Sequence, residues 1–121
     1  MSTYAPINEN YMVGEDSSAE FFSPVLDLRK PLRAINYQVY WAEGVSGLMV
    51  WEATIYSPSE DLWEQIVNCE GIELEMGPTG GHAIISLTGV WLTVGFVRMR
   101  WDPIDSGSAG LVDVAIRIVP I

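Results

Sequence analysis

The strongest constraint on this chain is a period of two. Near the C-terminus Val112, Val114, Ile116 and Ile118 alternate with Asp113, Ala115 and Arg117. Successive side chains of an extended chain point to opposite faces, so this segment buries one face and wets the other as a β-strand. The pattern recurs along the chain. Ile35, Tyr37, Val39 and Trp41 alternate with Asn36, Gln38 and Tyr40 over 34–42, and Met49, Trp51, Ala53 and Ile55 share one face of 48–56. Val97, Met99 and Trp101 oppose Arg98 and Arg100 within 92–101, and Ile72, Leu74 and Met76 alternate with Glu73 and Glu75. Further strands are expected over 82–88 and 20–28. In the latter, Pro24 removes a ladder donor and confines the strand to an edge or a bulge.

Turn residues separate these segments. Glu43-Gly44-Val45-Ser46-Gly47 predicts a hairpin joining 34–42 to 48–56, while Gly77-Pro78-Thr79-Gly80-Gly81 and the stretch 102–108 read as loops. Ser57, Pro58 and Glu60 stand as N-cap, first helical residue and capping glutamate. They predict a helix of at most two turns with Leu62, Trp63, Ile66 and Val67 on one side. Arg98 or Arg100 is expected to pair across strands with Asp113. A chain of 121 residues exposes ~6,500 Å² folded against ~19,400 Å² unfolded, enough burial for one core. The expected architecture is all-β: a single-domain, jelly-roll-like β-sandwich over residues 19–121. Residues 1–18 contain Pro6, Gly14 and three acids with sparse apolar anchors, and read as an extended N-terminal arm that lies on a neighbouring molecule.

Composition removes several function classes. With 49% apolar and 18% charged residues the chain is too hydrophobic for a disordered acidic tail. Six basic against sixteen acidic side chains, a net charge of −10, give no cationic field for a nucleic-acid backbone. Thirteen of the acids precede residue 80, while three of the bases follow it. No basic-then-apolar leader opens the sequence and no apolar run approaches bilayer-spanning length, so no membrane partner is expected. Cys69 is the lone cysteine and His82 the lone histidine, which provides neither an intramolecular disulfide nor soft ligands for zinc, and suggests synthesis in a reducing compartment.

No catalytic, metal or cofactor set is expected. His82 follows Gly80-Gly81 without a flanking serine nucleophile, and the glycine-rich loop lacks the lysine of a phosphate cradle. The acidic pairs, among them Glu60-Asp61 and Glu73 with Glu75, read as solvated faces. Aromatic residues are the richest remaining feature, with five Trp and five Tyr. Trp41, Trp51 and Trp101 occupy core-facing positions. Tyr40 and Tyr56 fall on opposite faces, Trp63 and Trp91 lie near loops, and Tyr4, Ile7, Tyr11 and Val13 anchor the arm. These eight residues form the candidate partner-binding set, suited to a protein interface or to stacking against sugar rings.

The stretch ATIYSPSEDLWEQI resembles the strand, Ser/acidic turn, Trp and apolar run of galactose-binding-like jelly rolls. Together with INYQVYWAEGVSGLMVWEAT before it, and GFVRMRWDP and LVDVAIRIVPI after it, the pattern over residues 20–121 is similar to small virion proteins of tailed bacteriophages. The resemblance implies a compact β-sandwich that cements or decorates a capsid or sits on the tail. It implies the major capsid protein or other virion proteins as partners, a homo-oligomer, and a virion location after synthesis in the host cytoplasm. It carries no catalytic motif. Glu60-Asp61-Leu62 replaces the usual Asp-Gly of the turn, so no ligand-binding loop transfers with it. A carbohydrate-binding module or a receptor-contact virion protein is the alternative expectation.

Overall fold

The computed structural model describes residues 7–30, 32–65, 73–103 and 107–121, with the backbone course alone for residues 7–10, 73, 90 and 91. Among them run strands β1 (Ile7–Asp16), β2 (Phe21–Phe22), β3 (Leu26–Asp27), β4 (Leu32–Trp41), β5 (Gly47–Thr54), β6 (Glu64–Gln65), β7 (Glu73–Met76), β8 (Gly81–Thr88), β9 (Phe96–Asp102) and β10 (Leu111–Pro120). A first sheet has the order β1-β10-β4-β8, and a second carries β9 and β5 at its centre. There β2 and β3 pair with β9, while β6 and β7 pair with β5; every pairing is antiparallel.

Counting β2 with β3, and β6 with β7, as interrupted strands leaves eight strands. The first, eighth, third and sixth face the second, seventh, fourth and fifth, which is the double Greek key of a jelly roll. The interruption between β2 and β3 falls at Ser23-Pro24-Val25, on the sheet edge where a missing N–H costs no ladder bond. The all-β, jelly-roll-like sandwich expected from the periodicity is the observed fold.

Alternation places the core as expected. Ile35, Tyr37 and Val39 of β4, Val97, Met99 and Trp101 of β9, and Val112, Val114 and Ile116 of β10 are buried between the sheets with Met49, Trp51 and Ala53 of β5. Tyr37 and Trp51 meet edge to face with ring centroids 5.4 Å apart. Their hydroxyl and indole N–H lie buried without a hydrogen-bond partner among the described residues. Burial holds the Tyr37 hydroxyl far above the usual phenol range.

Several expectations need correction. β4 and β5 do not form a hairpin, because the turn after Trp41 carries the chain from one sheet to the other. Paired side by side, Tyr37 and Trp51 would share one face; facing each other across the sandwich, each is covered from both sides. Arg98 and Arg100 do not meet Asp113, since β9 and β10 belong to different sheets, and Asp113 Oδ1 instead accepts from the Gly14 N–H at 2.6 Å. Ile55 is not core: β5 ends at Thr54 and Ile55 is 71% exposed. β9 begins at Phe96 rather than near 92, after a 3-10 turn over Gly89–Thr93 and a left-handed Gly95. The helix expected after Ser57 is a single 3-10 turn, Pro58–Glu60, with Ser57 as its N-cap, and Leu62 and Trp63 lead directly into β6. Ile66, Val67 and Cys69 lie outside the described residues.

The segment read as an arm is described from residue 7, and from there to Asp16 it is β1, in register with β10. Bulges between Asn10 and Met12 and between Met12 and Glu15 bend it, so Tyr11 and Met12 both turn toward the core. Tyr4 lies outside the described residues.

One end of the sandwich is closed by polar contacts. Trp101 donates its indole N–H to Ser17 O at 2.9 Å, and Ser108 Oγ donates to Ser17 Oγ at 3.0 Å while accepting from the Ser46 N–H at 2.9 Å. Gly47 sits under the Trp101 ring, where a Cβ would come within 2.6 Å of both the ring and Asp102 O. Gly47→Ala is therefore expected to destabilise the fold by about 1–3 kcal/mol through overpacking. Gly77→Ala, where a Cβ meets nothing within 4 Å, changes stability by less than about 0.5 kcal/mol. Urea unfolding followed by tryptophan fluorescence checks the pair.

Candidate binding surfaces

The outward side of the second sheet is built around Glu52. Alternation on β5 turns Glu52 away from the core, yet its side chain is only 10% exposed because β9 lays two arginines over it. Register places Arg98 opposite Glu52 and Arg100 opposite Val50. Arg98 Nε donates to Oε1 at 2.8 Å and Arg100 Nε to Oε2 at 3.1 Å. The Arg98 guanidinium carbon lies 4.2 Å from the centroids of both Phe22 and Trp63, so a cation flanked by two rings roofs the carboxylate. Asp61, Glu20 and Asp102 stand 3.7–3.9 Å from the outer arms of the two guanidiniums and offset the second positive charge. Both guanidiniums and the buried Glu52 carboxylate are paired, so the cluster is a structural clasp holding β2, β5, β9 and the turn before β6 together.

The outward side of the first sheet is different. Three rows cross it, each supplied by β10, β4 and β8 in turn: Arg117, Asn36 and Ser86; Ala115, Gln38 and Ile84; Asp113, Tyr40 and His82. The small Ala115 leaves a trough of about 560 Å³ lined by Asn36, Gln38, Ile84 and Arg117. Both amides are oriented: Ser86 Oγ donates to Asn36 Oδ1 at 2.7 Å, and Gln38 Nε2 donates to the Tyr40 hydroxyl at 2.8 Å. Tyr40 is 47% exposed, with its ring 5.7 Å from that of His82. This face offers planar polar groups and an aromatic plate to a ligand.

A third surface occupies the end of the sandwich away from Ser17. Ile55, Tyr56 and Leu62 are exposed and, with Val94, line an apolar cleft of about 300 Å³. A second cleft of about 530 Å³ shares Ile55 and Val94 with it and adds Leu92, Phe96 and the 79%-exposed Ile121. Arg29 and Lys30 form its polar rim. Asp27 binds the Arg29 guanidinium through both oxygens and also accepts from the Arg29 N–H, contacts that hold its carboxyl down at about 2.

Of the eight aromatic and apolar residues expected to bind a partner, the five whose side chains are described are dispersed. Tyr40 lies on the first face and Tyr56 at the apolar end. Val13 is exposed on β1. Trp63 is committed to Arg98. Tyr11 points inward, 6.3 Å from Tyr37, and donates its hydroxyl to Ser23 Oγ or Pro24 O; burial pushes that hydroxyl up to about 12. The backbone of Ile7 pairs with Ile118, and that of Trp91 runs in the 3-10 turn; their side chains lie outside the described residues. Sequence reasoning missed Ile55, Leu62, Ile121, Gln38 and Arg117. Leu62 and Ile121 are apolar beside turn or terminal residues, a usable signal, whereas Ile55 continues the inward alternation of its strand and gave none. Among the described residues no three His, Cys, Asp or Glu side chains converge as metal ligands.

Two predictions follow from this geometry. Glu52→Ala strands two partly buried guanidiniums and should cost about 3 kcal/mol, near the lower end for a broken buried pair because Asp61, Glu20 and Asp102 remain. Adding Arg98→Met should return part of that loss, as read in a double-mutant cycle by chemical denaturation. The Asp27 carboxyl should titrate at about 2 by NMR and rise in Arg29→Gln while staying below the ordinary aspartate value, because the backbone N–H of residue 29 and the Lys30 charge remain. Since its folded value is depressed, its small contribution is present at neutral pH and is lost as pH falls from about 4 toward about 2.

No family model and no curated protein matches the chain. Among solved structures it is similar to the K1 cleaved adhesin domain of Lys-gingipain from Porphyromonas gingivalis W83, at 14% identity and a TM-score of 0.47, over 88% of this chain and 72% of that one. It is also similar to the K3 cleaved adhesin domain of the same protein, at 14% identity and a TM-score of 0.44, over 83% of this chain and 63% of that one. Neither likeness bears on function.

Proposed function

We propose that this chain is a non-enzymatic docking subunit of a phage virion, a cement or decoration protein that seats its apolar end on the shell or on a neighbouring virion protein. The observation that carries the reading is the concentration of exposed Ile55, Tyr56, Leu62 and Ile121 around two confluent clefts, at the end opposite the Ser17 network. Exposed apolar patches of this kind mark protein contacts. Supporting it are the sequence pattern shared with small virion proteins and an acidic surface that disfavours nucleic acid. The clasp at Glu52 keeps the sandwich rigid, so docking proceeds without reordering the body.

A second reading rests on the first sheet's outer face, where oriented amides of Asn36 and Gln38 lie between Tyr40 and Arg117. That arrangement suits a sugar ring stacked on Tyr40 with hydroxyls bonded to the amides.

Purified protein should bind shell particles that lack it. Burying Ile55 and Leu62 contributes about 1.5–3 kcal/mol each. Ile55→Glu with Leu62→Glu should therefore weaken binding more than about a hundredfold, whereas Tyr40→Ala leaves it intact. Absence of shell binding, or binding indifferent to the double variant, overturns the docking reading. Binding on a glycan array that is lost in Tyr40→Ala and Gln38→Ala, with the thermal melt unchanged, establishes the second reading in its place.

A further inference from the structure

The sandwich has four sheet edges, and three of them are blunted. β1 is bent by two bulges, with Gly14 at φ 67°, and carries Glu9, Glu15 and Asp16. β2 and β3 are two residues each and are separated by Pro24. β6 and β7 are two and four residues long and carry Glu64, Glu73 and Glu75. Bulges, prolines, charges and short length are the devices that keep an edge from pairing with another chain.

β8 has none of them. Its eight residues run in unbroken register along β4, from Thr88 opposite Ala34 to Gly81 opposite Trp41. The strand contains no Asp, Glu, Lys, Arg or Pro. Its outward-facing Ile84 is 67% exposed, and no described segment pairs with its free side.

We propose that β8 is a self-association edge, through which two copies of this chain pair antiparallel about a twofold axis and join their first sheets into one of eight strands. The occupant is a second copy for electrostatic reasons. An isologous contact brings together two chains that each carry a net charge of −10, and their repulsion is least along a strand that holds no Asp or Glu. Residues directly opposite in an antiparallel pair point to the same face, so the twofold must pass through a residue rather than between two. Centred on Ile84, the pairing sets the two exposed isoleucines against each other on the outer face and His82 against Ser86. On the inner face it sets Ala83 against Ile85, small against large. This inference goes beyond the docking reading and does not depend on it.

Sedimentation equilibrium of the full chain should give twice 13.4 kDa. Ile84→Lys should sediment as monomer with an unchanged circular-dichroism spectrum and Tm, and Ser86→Lys should do the same if the first variant fails to fold. Val13→Lys, on the opposite edge strand, should remain dimeric. In a Cys69→Ser background, Ile84→Cys should cross-link to itself under a short bis-maleimide, while Leu111→Cys should not. A monomer at all concentrations, a dimer that survives both lysine variants, or a dimer broken by Val13→Lys instead overturns the proposal.

Discussion

The side chain of Trp101 ties the sandwich together. It projects from β9 into the core, stacks on Phe21 at 6.2 Å, and closes over Gly47 at the start of β5. Its indole N–H reaches Ser17, just beyond β1 of the opposite sheet. One residue therefore joins both sheets by dispersion and by a hydrogen bond that would otherwise be a buried unsatisfied donor. Ser17 is held there by two backbone bonds, its carbonyl accepting from Trp101 and its N–H donating to Gly110 O at 3.0 Å, and its hydroxyl accepts from Ser108.

A second tie spans the open side of the sandwich. Tyr11, turned inward by the first β1 bulge, lays its ring beside Tyr37 and its hydroxyl on Ser23 and Pro24. Ser23 Oγ in turn accepts from the Met99 N–H at 2.7 Å. The proline that interrupts β2 and β3 thus leaves a gap in the ladder into which serine and tyrosine oxygens fit. With Trp101 at one end, Tyr11 at the side and the Glu52 clasp outside, the body is braced on several sides. The outer face of the first sheet, the apolar end and the β8 edge remain available for contact.

Much of the fold was legible in residue order. The inward positions of β4, β9 and β10 follow from alternation alone, and Pro24 and Ser57-Pro58 mark an edge interruption and a short capped turn through local backbone chemistry. The candidate surfaces were less legible. Exposed aromatics are identified by which face of a strand they occupy, and that succeeds for Tyr40. Tyr11, expected as an anchor of the arm, is instead turned inward at a β1 bulge, and Trp63, expected near a loop, is captured by a distant Arg98.

What the sequence determined by itself is the β period, and with it the core-facing side chains of β4, β9 and β10 and the all-β class. What only the tertiary structure decided is which strands lie side by side. Arg98 and Arg100 alternate outward in either case, but their partner is Glu52 on β5 and not Asp113 on β10, because the jelly-roll crossing puts β10 in the other sheet. Periodicity is set by backbone geometry within a few residues, whereas pairing is chosen by the closure of long loops and by which arrangement encloses Tyr37, Trp51 and Trp101 from both sides.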